Sequence, residues 1–177
     1  MFFSAAGFAE NIGLTLIPAN GNVSGPPGST VGWGYTITNG TVLWLQAESL
    51  SAGSFRDGTP NAIFDFPAIG PFSSVTEAFS PVSSDSCGSP PCGLYEFTWN
   101  SNAPIGTKNA GTFIVGFDYF SGDPANPSSI DLGAAPDADA SYMASAFGAP
   151  APEPSTYALI LAGLLLLAAC SHPAWRR

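Results

Sequence analysis

Histidine is almost absent from this chain, and that limits the catalytic chemistry the sequence can support. The only histidine is His172, close to the C-terminus. Ser-His-Asp and Cys-His centres need an imidazole, and zinc and copper sites commonly use one as a ligand. No Gly-x-Ser-x-Gly, His-Glu-x-x-His or phosphate-binding glycine motif occurs. A carboxylate pair for glycoside hydrolysis stays open, since such pairs meet only in the fold. We predict no catalytic residue, no metal site, no cofactor and no enzyme activity.

Cys87 and Cys92 enclose a short loop that contains Pro90 and Pro91. Outside the cytoplasm, two cysteines at this spacing are expected to form a disulfide. A metal site is a poor rival, because neither a histidine nor a second cysteine pair is nearby. We therefore predict a disulfide between Cys87 and Cys92.

Acidic residues dominate the chain before the C-terminal segment. Residues 1–154 contain all 13 acidic residues and only two basic ones, Arg56 and Lys108, a formal net charge of −11. This charge argues against nucleic acid and anionic lipid as partners of this region. Five aspartates in its C-terminal part could offer oxygens to Ca²⁺, but their spacing fits no known loop and favours solvated turn residues. They are Asp118, Asp123, Asp131, Asp137 and Asp139.

Short strands separated by turns must carry these residues. Charged residues make up 10% of the chain, which has 20 glycines and 17 prolines, as expected for an exported β-domain. Residues 31–38 alternate large apolar side chains with small or polar ones, the period of a half-buried strand, and residues 112–120 place their large apolar side chains on one face. The pattern predicts about eight strands and an immunoglobulin-like antiparallel β-sandwich over residues 10–147. The predicted strands are 12–17, 31–38, 62–66, 74–79, 94–99, 112–120 and 138–146, with a further one after residue 40.

Asn39-Gly40 is the strongest hairpin signal in the sequence, because both residues tolerate positive φ. A two-residue turn there would place Tyr35 opposite Trp44 and Trp33 opposite Gln46.

Four aromatic residues allow two interpretations. Trp33, Trp44, Trp99 and Tyr95 could form an exposed stacking platform for a sugar ring, as in a carbohydrate-binding module. The simpler interpretation places them in the hydrophobic core. Solvent exposure distinguishes the two.

The C-terminal segment has three consecutive parts. Pro152-Glu153-Pro154-Ser155-Thr156 precedes an uncharged run from Tyr157 to Cys170, and Arg176-Arg177 ends the sequence given. The run is apolar on every face and rich in helix-forming leucine and alanine. Fourteen residues rise only about 21 Å as a helix, whereas residues 155–175 rise about 31 Å, close to the hydrocarbon thickness of a bilayer. We predict a single C-terminal hydrophobic helix over about residues 155–175, after a linker at 148–151, with the arginines on the cytoplasmic side. The alternative is a buried core helix.

This three-part order resembles the PEP-CTERM sorting signal of exported Gram-negative proteins. The resemblance covers residues 152–177 and implies recognition of residues 152–156 by an exosortase, an intramembrane enzyme thought to remove the tail. It also implies Arg176 and Arg177 as a membrane stop, and an association with exopolysaccharide. In the family the helix usually runs straight into three or more arginines, whereas here residues 171–175 intervene and two remain.

The first residues resemble part of a signal peptide. Residues 2–9 are mostly apolar, and Gly7-Phe8-Ala9 has the small-x-small form of a cleavage site, but no basic residue precedes it. One hypothesis is a truncated signal peptide over residues 1–9, with the reading frame continuing upstream. The other is an ordinary N-terminus.

We expect a non-enzymatic protein that is exported and sorted through its tail. It would pass through the inner membrane during processing and then reach the cell surface or matrix of a Gram-negative bacterium. The expected partners are the membrane, the exosortase-type enzyme and exopolysaccharide. A carbohydrate-binding module and a plain single-pass anchored surface protein are the alternatives.

The cysteine pair gives a direct prediction. Alkylation of unreduced exported protein should modify neither Cys87 nor Cys92, because a disulfide leaves no thiol to react. Closing the loop this way should also stabilise the domain by about 2 kcal/mol in the chain-entropy model. Mass spectrometry of the alkylated peptides is the measurement, with a reduced sample as the control in which both react. Two freely alkylated thiols in the unreduced sample would refute the disulfide.

Overall fold

The described part of the protein is an all-β domain. A computed structural model describes residues 11–81 and 91–148, and within the C-terminal segment residues 160, 161 and 164. The chain divides into two compact units, Met1–Phe147 and Gly148–Arg177. No helix among the described residues is long and apolar enough to cross a membrane.

Ten strands are present in the described part of the first unit. They are β1 (Ile12–Ile17), β2 (Asn22–Gly25), β3 (Thr30–Asn39), β4 (Trp44–Ser51), β5 (Gly58–Ala62), β6 (Ala68–Ile69), β7 (Ser73–Glu77), β8 (Tyr95–Trp99), β9 (Lys108–Phe120) and β10 (Asp131–Ala146). The predicted strands at 12–17, 31–38, 74–79, 94–99, 112–120 and 138–146 are confirmed within a few residues, except that β9 and β10 begin earlier.

The first sheet is built around β3. Its order is β1-β3-β8-β5, and β7 also pairs with β3. β7 pairs with residues 35–39 of β3 and β8 with residues 30–33, both antiparallel. β7 and β8 therefore follow one another along the same edge of β3. The chain leaves that edge after β7 and returns before β8, and backbone hydrogen bonds of 2.9 and 3.0 Å between Ser80 and Cys92 join the two crossing points.

The second sheet contains the longest strands. Its order is β2-β10-β9-β4-β6, and β9 and β10 pair antiparallel over most of their length. β2 pairs parallel with residues 143–146 of β10, so the predicted wholly antiparallel arrangement is wrong at this edge. After β1, which belongs to the first sheet, the chain crosses to the second sheet. There β2 lies at the edge beside β10 and runs in the same direction.

The two sheets pack face to face through a continuous hydrophobic core, which makes the domain a β-sandwich. Trp33 of β3 meets Phe113 of β9 and Tyr142 of β10 edge-on, at ring-centroid distances of 5.2 and 5.3 Å. Trp33, Phe97, Phe113 and Val115 have no exposed surface. Burying each large side chain contributes about 1.5–3 kcal/mol before conformational entropy is counted.

β3 is buried on both faces over residues 32–35, although its alternating pattern predicted a half-buried strand. Trp33 and Tyr35 face the core, and the two glycines between and before them face away from it. A Cβ at Gly32 would lie 2.3 Å from the Phe79 ring, and one at Gly34 would lie 2.4 Å from the Glu77 carbonyl oxygen. The glycines therefore allow the chain after β7 to cover this strand.

Asn39-Gly40 is not a hairpin turn, and the predicted pairing of Tyr35 with Trp44 is wrong. β3 lies in the first sheet and β4 in the second, so the dipeptide begins a crossing between sheets. The buried Asn39 amide donates to the carbonyl oxygens of Leu43, Ile69 and Gly70 at 2.8, 3.1 and 2.9 Å. Its oxygen accepts from the amide and hydroxyl of Thr41. Asn39 thus bridges the loop and β6 with its side chain rather than adopting a type I′ turn.

The predicted strand at 62–66 is also wrong. β5 ends at Ala62, and the following residues connect it to β6 without strand pairing. Phe66 has a φ of 53°, which an extended strand does not allow. Phe64 is buried against Tyr35, with ring centroids 5.0 Å apart, so it fills the core without belonging to a strand, whereas Phe66 is 41% exposed.

Asn39→Ala should destabilise the domain by about 2–3 kcal/mol, because it removes the side-chain hydrogen bonds that join the loop at Thr41 and Leu43 to the backbone at Ile69 and Gly70. Asn61→Ala is the matched control: Asn61 is exposed and bonds only the Glu96 carboxylate at 2.8 Å, so a loss below about 1 kcal/mol is expected. Urea unfolding of the full chain measures both. Equal losses in the two variants would contradict the bridging role of Asn39.

Candidate functional site

The residues predicted to act in sorting lie outside the described residues. They are Pro152, Glu153, Pro154, Ser155, Thr156, Arg176 and Arg177. Three residues of the intervening apolar run are described: Ile160, Leu161 and Leu164 are helical and 55–61% exposed. The extent of the predicted helix therefore stays a prediction.

Cys92 is disulfide-bonded. Its partner lies outside the described residues, and pairing with Cys87 stays a prediction. Cys92 also sits at the backbone bridge to Ser80, where the segment between β7 and β8 closes.

The core interpretation of the aromatic residues holds for three of the four. Trp33 and Trp99 are buried, with 0% and 1% of their surface exposed. Tyr95 is half-buried, and its ring stacks on Phe55 at a centroid distance of 5.5 Å. These three residues are core residues, because the inward positions of β3 and β8 face the second sheet. Trp44 is the exception: it is half-buried and lies on the opposite face of β4 from the buried Leu45.

The predicted calcium candidates do not converge. Within residues 11–81 and 91–148, no group of three or more His, Cys, Asp or Glu side chains could hold a metal ion. The carboxylates of Asp123 and Asp131 accept backbone amides of their own turns, from Ala125 and Gly133 at 2.9 and 2.8 Å. These aspartates therefore serve local turn structure.

One concave feature of the described residues is a cleft at the start of β9. It has a volume of about 380 Å³ and is lined by Ser54, Phe55, Arg56, Lys108, Asn109 and Ala110. One wall is the loop that follows β4, and the other is the first three residues of β9. We call this feature the β9 cleft.

The loop wall is held by stacking beneath it. The half-buried Phe55 ring stacks on Phe97 and Tyr142 at centroid distances of 5.1 Å each, as well as on Tyr95. Offset stacking of this kind is worth about 0.5–1.5 kcal/mol per pair beyond the area buried. The side chain of Phe55 therefore anchors the loop to both sheets.

Asn109 fixes the backbone of the loop wall. Its buried side chain accepts from the Arg56 amide at 2.9 Å and donates to the Arg56 carbonyl oxygen at 3.0 Å. This pairing satisfies the Arg56 backbone without using the guanidinium. Nη2 of Arg56 makes only a long hydrogen bond of 3.5 Å, to the Lys108 carbonyl oxygen.

The β9 cleft brings together Arg56 and Lys108, the two basic residues of the first 154. The two residues are 52 positions apart and share no local motif, so the sequence did not indicate a site. The one feature that could have indicated it is that they are the only basic residues in an acidic region. Two cationic groups at one cleft can bind an anion.

Tyr142, whose ring stacks on Phe55, has a buried hydroxyl that makes no hydrogen bond of acceptable geometry among the described residues. A Cβ at Gly111 would lie 2.7 Å from it and one at Gly53 would lie 3.0 Å from it, so the two glycines leave room for the phenol. Burial raises the pKa of Tyr142, as does the nearby Tyr95, and the Gly53 backbone partly offsets this. Burial likewise raises the pKa of Tyr95.

Tyr35 differs from Tyr142 in that its hydroxyl has a hydrogen-bond partner. Its buried hydroxyl donates to the Asp65 carboxylate at 2.5 Å. Burial raises the pKa of Tyr35 strongly, and the Asp65 hydrogen bond and charge add to the effect. Because a raised tyrosine pKa favours the neutral form in the fold, this stability is fully present below the unfolded pKa of about 10 and is lost as pH rises above it.

Two tyrosine variants should therefore behave differently. Tyr35→Phe should cost about 1–3 kcal/mol at pH 7, because it removes a hydrogen bond to a charged group. Tyr142→Phe should be neutral or stabilising at pH 7, since its hydroxyl is unpaired, and should lose less stability than wild type at pH 11. Urea midpoints at both pH values are the measurement. Indistinguishable midpoints for the two variants at pH 7 would contradict this assignment.

Comparison with known proteins gives little further information. No protein-family model and no curated protein matches the chain. Among solved structures, it is similar to a chain from the crystal structure of a complex between a CaDoc0917 variant and CaCohA2 at pH 5.5, with 18% identity over 77% of this chain and 99% of that chain. The TM-score is 0.28, a value at which no shared fold is defined.

Proposed function

We propose that this protein is an exported, non-enzymatic β-sandwich that is sorted through its C-terminal tail to the cell surface or extracellular matrix. The observation that carries the proposal is the three-part order of residues 152–177. Prolines around Glu153 precede an uncharged apolar run, and Arg176-Arg177 follows it. An apolar run without any polar face is costly in water and stable in lipid.

The division of the chain supports this assignment. Gly148–Arg177 forms a unit distinct from Met1–Phe147, as a tail that is handled separately requires. Ile160, Leu161 and Leu164 expose more than half of their surface, which lipid would cover. Neither observation depends on the β-sandwich having any activity of its own.

Each part of the tail has a physical role in the proposal. Pro152 and Pro154 disfavour helix in the residues before Ser155 and keep their peptide bonds accessible to an exosortase-type enzyme. The run from Tyr157 to Cys170 enters the membrane. Arg176 and Arg177 resist crossing, at about 2.5–3.5 kcal/mol each on insertion scales.

The strand order supports an immunoglobulin-like assignment of the exported domain. An immunoglobulin constant-type sandwich has one sheet ordered A-B-E-D and another ordered C-F-G. The order β1-β3-β8-β5 corresponds to the first, and β4-β9-β10 corresponds to the second. β2, β6 and β7 are additions to this plan. The contact between Trp33 of β3 and Phe113 of β9 occupies the place of the disulfide that joins strands B and F in antibody domains.

Removal of the tail is the decisive test. Replacing Pro152-Glu153-Pro154 by three alanines should leave insertion intact and abolish processing. The measurement is the intact mass of the surface protein, in wild-type cells and in cells lacking the sorting enzyme. Wild-type protein should have lost Arg177, and the variant should retain it.

The matched control replaces Ser171-His172-Pro173 by three alanines, which also removes a proline but lies beyond the apolar run. Its processing should be normal. If Arg177 is present on the wild-type surface protein, sorting is wrong and the molecule is a single-pass anchored β-domain.

A further inference from the structure

We propose that the β9 cleft binds the carboxylate of a uronate residue in an acidic polysaccharide, through Arg56 and Lys108. The matrix setting of this ligand rests on the proposed function, whereas the binding of a carboxylate rests on the cleft alone. No residue of this cleft takes part in the proposed sorting.

The few positive charges of the acidic domain lie at the β9 cleft. Arg56 and Lys108 are the only cations among residues 1–154, where 13 acidic residues offer alternative partners. Both nevertheless line the same cleft, and neither forms an ion pair with a carboxylate in the described ranges. An anion bound at the cleft would give both cations a partner of opposite charge.

The loop wall of the cleft holds the backbone of Arg56 in place. Asn109 satisfies the backbone of Arg56 at both its amide and its carbonyl group, and Phe55 anchors the neighbouring position by stacking. The backbone is therefore fixed while the guanidinium keeps most of its donors for a ligand. A guanidinium and a carboxylate form paired charge-assisted hydrogen bonds, which are stronger than neutral ones. A fixed Arg56 backbone lowers the entropy that must be lost when a ligand binds, while the guanidinium stays available to it.

The size and composition of the cleft favour a single sugar acid. Its volume of about 380 Å³ lies at the small end of ligand pockets, which suits one or two rings. Ser54 adds a hydroxyl to the lining, and Phe55 adds apolar surface. Both groups match the mixed polar and apolar character of a sugar.

The net charge of the domain decides between polyanions. A formal charge of −11 over residues 1–154 repels nucleic acid, whose phosphates lie about 1.7 Å apart along the duplex axis. A polymer with one carboxylate per sugar ring has a lower charge density and meets less repulsion. Two cations at one cleft can bind one such carboxylate, but they cannot neutralise a phosphate backbone.

The test uses the full chain, ¹⁵N-labelled and held in non-ionic detergent. Glucuronate should shift the backbone amide resonances of residues 54–56 and 108–110, and glucose should not. Arg56→Gln/Lys108→Gln should weaken glucuronate binding at least about tenfold, as expected for loss of charge-assisted hydrogen bonds. Polygalacturonate should compete for the same residues, whereas dextran should not.

The matched control is Arg176→Gln/Arg177→Gln, which changes the net charge equally and leaves the cleft unaltered. Its affinity for glucuronate should equal that of wild type. The long hydrogen bond from Arg56 to the Lys108 carbonyl oxygen is exposed, so its loss should change stability little, and unchanged urea midpoints will show that the cleft variant is folded.

Three results would overturn the proposal: glucose binding as well as glucuronate, equal weakening in the cleft and tail variants, or failure of polygalacturonate to compete. None of these results affects the intact mass of the surface protein. A failure of sorting and a failure of uronate binding are therefore distinguishable.

Discussion

Contact between aromatic rings across the sandwich is the interaction on which the rest of the domain depends. Trp33 comes from one sheet, and Phe113 and Tyr142 come from the other, and the indole meets both rings edge-on. The indole N–H also donates to the Gly21 carbonyl oxygen at 2.8 Å, which ties the turn between β1 and β2 to the core. Phe55 extends the cluster outward to the β9 cleft. The same group of rings thus holds the sheets together and positions the loop that carries Arg56.

Hydrophobic alternation was sufficient to predict the strands that face this core. The inward aromatic and β-branched residues of β8 and β9 repeat every second position, and the structure places them as the pattern requires. The pairing between strands was less predictable. Asn39-Gly40 has the composition of a hairpin turn, yet the Asn39 amide has three carbonyl acceptors that come from residues 43, 69 and 70. Tertiary hydrogen bonds outweighed the local turn preference, and two of those three acceptors lie about 30 residues away.

The two candidate sites also differ in how far the sequence could predict them. The tail is a contiguous motif, so its sequence was enough to define a hypothesis about sorting. The β9 cleft joins residues 54–56 to residues 108–110, and only folding brings them together. The aromatic residues allowed two interpretations, because composition alone does not reveal which face of a strand is inward. Trp33 and Trp99 are large enough to bind a sugar ring, but their positions on β3 and β8 direct them into the core.

The chain between β7 and β8 departs from and rejoins a single edge of β3, and the backbone bridge from Ser80 to Cys92 joins the two points. The register of both strands is set by their own pairing with β3, so the number of residues beyond the bridge is not constrained by the sheet. Each doubling of such a loop costs only about 0.6 kcal/mol in closure entropy. An insertion beyond the bridge is therefore compatible with the same sheet. A foreign peptide could be grafted at this position without altering the register of either strand.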